Sequence, residues 1–176
     1  MNLSNNALSV IALANEYCRA VELAASTEPL DFVARMVKLL PRLFIAVNDL
    51  PDDMDDDADF GFDSAHLDEE YYNQVRAAMA ATLGEADSYL ETMHEDMKYS
   101  DSPIAATISE GLADIFQVLY DFVEDVRDGD SEQVNGHLSY LREQYAEYWS
   151  ETLCNVMRPL NAILRHPDDY FTDDTL

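Results

Sequence analysis

Carboxylates recur at helical spacing in the segment ISEGLADIFQVLYDFVED, where Glu110, Asp114, Asp121 and Asp125 fall on one side of a helix. A ladder of this kind can hold a metal ion or face a cationic partner. Ion ligands in a helical bundle point inward, between helices. These four lie opposite the apolar stripe Leu112, Ile115, Phe116, Leu119, Phe122, Val123 and Val126, so a solvated face is the expectation. A di-iron centre needs two Glu-x-x-His pairs, and the chain holds one, Glu91 to His94. The run Asp52, Asp53, Asp55, Asp56, Asp57 and Asp59 suggests calcium. Aligning Gly61 with the glycine of an EF-hand loop, however, puts Ala58 and Phe60 at ligand positions and Leu67 where glutamate belongs. No metal site and no cofactor is expected.

Cations are rarer and more telling. Arg35, Lys38 and Arg42 place three of the ten basic residues on one ridge of a helix, away from Val33, Val37, Leu40 and Phe44. The ridge either neutralises part of the nearby aspartate run or offers a docking edge to an acidic partner or a phosphate. Tyr145, Tyr148 and Trp149 form the densest aromatic patch. Heptad spacing assigns Tyr145 and Tyr148 to the core and Trp149 to its boundary. The four histidines share no nucleophile–base spacing with Cys or Ser, and no phosphate loop, G-x-S-x-G turn or dinucleotide fingerprint occurs. No catalytic residue is expected.

The elements that carry these residues are helices. The first spans about 4–25, with Leu8, Ile11, Ala14, Cys18, Val21 and Ala25 on one face. The second opens near Thr27 and Pro29 and buries Leu30, Val33, Val37, Leu40, Phe44 and Val47, with a kink or break expected at Pro41. A third runs from Asp68 as N-cap to Gly84 as stop. Residues 85–101 are expected to be irregular. A fourth helix is read from Ser102-Pro103 to Asp128. A last one begins at a capping box of Asp130 and Gln133 and follows Val134, Leu138, Leu141, Tyr145, Tyr148, Val156, Leu160 and Ile163, bending near Pro159. Together they imply an all-α, single-domain bundle of about five amphipathic helices over 1–176. A long acidic loop at 49–67 and a loosely ordered tail at 167–176 complete it.

Charge sets the choice of partner. Thirty-six Asp and Glu against ten Lys and Arg give a net charge of −26, while 48% of the residues are apolar. Such a surface repels phosphate and anionic lipid, so neither direct nucleic-acid binding nor membrane binding is expected. The apolar N-terminus lacks a basic n-region, and no stretch reaches the ~20 apolar residues of a membrane span. Cys18 and Cys154 sit among helix-spaced apolar residues and read as buried thiols of a reducing compartment. A cytoplasmic location is the expectation.

The stretch LGEADSYLETMHEDMKYSDSPIAATISEGLADIFQVLYDF, with ANEYC before it and YAEYWSETLCNVMRPLNAIL after it, resembles the bacterial family called domain of unknown function 5063. The resemblance implies a helical protein and supplies no catalytic residues. It makes the acidic and polar positions of the shared motif the site candidates: Glu85, Asp87, Tyr89, Tyr99, Asp101, Glu110 and Asp114. The expected function is a non-enzymatic binding or adaptor module for a basic protein partner. Two alternatives compete with it: a nucleic-acid mimic that occupies a basic groove, or acidity that reflects a saline cytoplasm and carries no functional information.

Overall fold

Tyr17, from the ANEYC segment, is wholly buried, and its hydroxyl donates to the carbonyl of Leu112 at 2.8 Å. That bond ties the first helix to the fourth, about which the fold is organised. The computed structural model describes residues 3–51, 65–91, 99, 101–127, 129 and 131–171. The aspartate run 52–59, most of the expected acidic loop, His94 and the Asp130 cap lie outside the described residues.

Helix α1 spans Asn5–Glu22, capped by Ser4 Oγ, which accepts from Ala7 N at 3.0 Å. Helix α2 spans Pro29–Asn48 and continues through Pro41 without splitting. Helix α3 spans Glu69–Leu83 between the two residues expected to bound it. Asp68 accepts from Tyr71 N at 2.7 Å, and Gly84 takes φ +56, a left-handed value open to glycine without strain. After a 3-10 turn at Gly84–Asp87, β1 (Ser88–Glu91) pairs antiparallel with β2 (Ile104–Thr107), Tyr89 opposite Ala106 and Glu91 opposite Ile104. Helix α4 spans Ile108–Arg127, and α5 (Ser131–Gln144) passes through a π turn at Tyr145–Trp149 into α6 (Ser150–Arg165). Helix α4 packs against α1, α3, α5 and α6, while α2 lies across α1 and α6. The bundle is therefore all-α save for one small hairpin.

Several expectations need correction. Residues 88–91 are a strand, not irregular, and 104–107 are its partner, so α4 starts at Ile108 and not at Ser102-Pro103. The delay has a chemical cause. Asp87 is buried, and its carboxylate accepts from Ser109 N and Ser109 Oγ, both at 2.7 Å, so α4 is capped by a residue 22 positions upstream. In the last helix the heptad breaks at the π turn, where Ser150 N–H reaches back to the Tyr145 carbonyl. One residue is inserted into the register. Trp149 is fully buried and Tyr148 is 48% exposed, the reverse of the expected order. Leu8 and Phe44 are also exposed, because Ala7, Val10, Met36 and Leu43 occupy the interior beside them. Cys18 is buried, and burial lifts its thiol well above the ordinary range; Cys154 is exposed, contrary to expectation. Of the expected tail at 167–176, Pro167–Asp169 form a 3-10 turn and Phe171 is buried, and 172–176 lie outside the described residues.

Candidate functional site

The carboxylate ladder on α4 divides into two halves with different surroundings. Toward the C-terminal end, Asp121 is only 6% exposed, and its Oδ1 accepts from His66 N at 2.8 Å and Leu67 N at 2.9 Å. Asp125 meets His66 Nε2 at 2.6 Å, and His137 Nδ1 lies 3.9 Å from its other oxygen. A solvated face was expected here. Instead Asp121 accepts the backbone N–H groups of His66 and Leu67 on the approach to α3, and Asp125 holds the His66 ring. Burial pushes the Asp121 carboxyl above its ordinary value, with the two backbone N–H bonds opposing that shift. The hydrogen bond to Asp125 is the main reason that His66 holds its proton above its ordinary value.

Toward the N-terminal end the ladder opens into a cleft of about 410 Å³. The inward face of the hairpin, with Tyr89, Glu91, Ile104 and Ala106, forms one wall. Glu110, Gly111 and Asp114 of α4 form the floor, and the π turn and α6 contribute Glu147, Tyr148, Glu151, Thr152 and Asn155. Asp114 is held from both sides: Tyr72 OH donates to Oδ1 at 2.7 Å and Tyr148 OH to Oδ2 at 3.1 Å. Burial, then the neighbouring acids, raise the phenols of Tyr72 and Tyr148, and push Tyr89 up to about 12, where its OH donates to Glu91 at 3.2 Å. These phenols remain donors, so none serves as a phenolate nucleophile near neutral pH. Gly111 is required by packing: a Cβ there would sit 2.5 Å from Val156 Cγ1, so glycine allows α4 and α6 to approach beneath the cleft.

A second cleft of about 480 Å³ adjoins the first and shares Tyr89, Glu91, Glu151 and Asn155 with it. Its remaining wall is more apolar, with Phe44, Leu90, Cys154 and Pro159, and Arg158 lies at its edge.

Of the seven motif positions, Tyr89, Glu110 and Asp114 come together in the cleft. Asp87 is the buried cap of α4. Glu85 is exposed in the 3-10 turn, and Tyr99 and Asp101 are exposed, Tyr99 at 91%. Arg35, Lys38 and Arg42 all lie on the exposed side of α2; Arg42 faces Glu16 of α1 at 3.6 Å, a partner not anticipated. Sequence reasoning missed Glu91, Glu147, Tyr148, Glu151 and Asn155. Glu147, Glu151 and Asn155 recur every fourth residue, a polar stripe that a heptad interrupted at Tyr148 would have exposed. Among the described residues no three His, Cys, Asp or Glu side chains are close enough to share a metal ion. Among them also, no helix is long and apolar enough to cross a membrane.

The model of the family described as domain of unknown function (DUF5063) matches residues 1–166. A crystal structure of a Bacteroides fragilis protein from a structural-genomics consortium is similar to this chain at a TM-score of 0.77 and 29% identity, covering 91% of this chain and 92% of its own. No curated protein matches.

Proposed function

The chain belongs to the DUF5063 family, whose description names no activity, and from its own cleft we propose a binding module that receives a cationic group of a basic protein partner. One observation carries this reading. Glu91, Glu110, Asp114, Glu147 and Glu151 arrive from β1, α4 and the last helix at a single concavity where, among the described residues, no Lys or Arg lines the wall. Glu91 is buried and Asp114 half-buried, and a carboxylate drawn out of water is costly unless a donor or a cation meets it. Glu110, Glu147 and Glu151 stay exposed at the mouth. A concave wall of one sign also focuses the field and raises the local concentration of positive ligands. The tyrosines, whose hydroxyls donate to Asp114 and Glu91, add acceptor oxygens and ring faces suited to an ammonium or guanidinium. Separation of these acids beyond metal-sharing distance suits a broad organic cation better than a bare ion.

The concavity also favours this reading over a nucleic-acid mimic, which would display its charges along a convex row. The test uses an arginine–glycine repeat peptide titrated calorimetrically into the full chain at several salt concentrations. Replacing Glu110, Glu147 and Glu151 with Gln is expected to weaken binding by at least about tenfold. A control replacing Glu28, Glu70 and Glu143 changes the net charge equally and is expected to leave affinity within about twofold. Equal losses in both would mean that only total charge matters, and the reading would fall.

A further inference from the structure

Resting on that cationic-receptor reading, we infer that the partner segment carries its cation next to an aliphatic side chain, because the acidic cleft continues into an apolar one. The two cavities share Tyr89, Glu91, Glu151 and Asn155, so a bound chain crossing that common wall enters both. Beyond it, Leu90 is 66% exposed and Phe44 is 38% exposed, and Pro159 lies on the same cavity wall. Leu90 is paired with Ala105 within the strand, yet its side chain is apolar and exposed where a solvent-facing position ordinarily carries a polar residue. Phe44 sits beside it because Leu43 and Val47 take the interior positions of α2.

Charge sets the direction of the bound segment. Glu110, Asp114 and Glu147 line the first cleft alone, Glu91 and Glu151 stand on the shared wall, and Arg158 lines the second cleft, so the cation is drawn toward the first. Neither half identifies an occupant alone. The acidic end specifies charge and the apolar end specifies a side chain that benefits from leaving water. An Arg-Leu or Lys-Leu type of sequence satisfies both, whereas a polar basic tail would leave Leu90 and Phe44 in solvent.

Fluorescence anisotropy with three labelled peptides on the full-length chain separates the possibilities: Gly-Arg-Arg-Leu-Leu-Gly, Gly-Arg-Arg-Ser-Ser-Gly and Gly-Ser-Ser-Leu-Leu-Gly. The first is expected to bind about tenfold tighter than the second, the gain from partly burying an aliphatic side chain, and the third to show no binding. Leu90→Ser is expected to erase the difference between the first two while leaving affinity for the second unchanged. Equal binding of the first and second would overturn the apolar half and leave the cationic receptor standing. Equal binding of the first and third would overturn the role of charge. If none bound, the receptor reading itself would fall, and this inference with it.

Discussion

One helix carries the same residue type at similar spacing into opposite roles. At the C-terminal half of α4, Asp121 accepts from the backbone N–H groups of His66 and Leu67, and Asp125 is held by the His66 ring with His137 beside it. At the N-terminal half, Glu110 and Asp114 face a cleft whose other walls add three more carboxylates. The difference lies in what covers each half. A segment with backbone donors in need of acceptors crosses one, and a two-stranded hairpin whose strands pair with each other stands beside the other. Acids that complete a hydrogen-bond inventory are structural, and those that stay exposed around the concavity, Glu110, Glu147 and Glu151, can meet a ligand.

If that contrast is correct, the two halves respond differently to the same substitution. Asp121→Ala strands the buried Leu67 N–H and the half-buried His66 N–H and is expected to lower unfolding free energy by about 2–3 kcal/mol in urea denaturation. Glu110→Ala, measured in the same way, should fall within about 0.5 kcal/mol of the parent. Similar losses at both positions would erase the distinction. The next effect lies beneath the open half. Gly111→Ala improves helix propensity by about 1 kcal/mol, yet its methyl meets Val156, so a net loss of about 1–2 kcal/mol is expected. A gain in stability there would mean that α4 and α6 are less closely packed than described.

Much of the architecture was legible because it depends on local signals. Asp68 and Gly84 bound α3 as their cap chemistry requires, and the stripe from Leu112 to Val123 is buried along α4. The hairpin was not legible, since β1 and β2 are four residues each and are stabilised by pairing across a gap in sequence. Nor was the start of α4, whose cap, Asp87, comes from 22 residues away. The π turn did leave a trace. Val156, Leu160 and Ile163 fall one residue later than the heptad set by Val134, Leu138, Leu141 and Tyr145 would place them. Taking that slip seriously would have moved Tyr148 to the surface and brought Glu147 and Glu151 into the site. Three of the seven motif positions reach the cleft, because a shared sequence motif mixes residues that build the hairpin with those that line its face.

The smaller effects sharpen the contrast through solution conditions. His66 holds its proton above the ordinary value because of Asp125, with Asp121 and Glu124 of α4 adding to the field. A raised folded value means that the stabilisation is fully present below about pH 6.5 and is lost as pH rises through the folded value. The stability gap between the parent and His66→Ala should therefore be widest near pH 6 and narrow toward pH 8.5 in denaturant titrations. A gap that stays constant would remove the charge from that contact. The smallest shift comes from salt, which screens the −26 net charge. Between about 0.05 and 0.5 M NaCl the melting temperature should rise slightly while affinity for a basic peptide falls. Movement of both in one direction would argue that binding is not electrostatic.

The most direct measurement is a backbone-amide NMR titration of the full chain with the peptide Gly-Arg-Arg-Leu-Leu-Gly. Shifts are expected to concentrate at Ser88–Glu91, Ile104–Asp114 and Glu147–Arg158, with Asp121 and Asp125 unmoved. Shifts spread evenly over every acidic surface, or centred on Asp121 and His66, would contradict it.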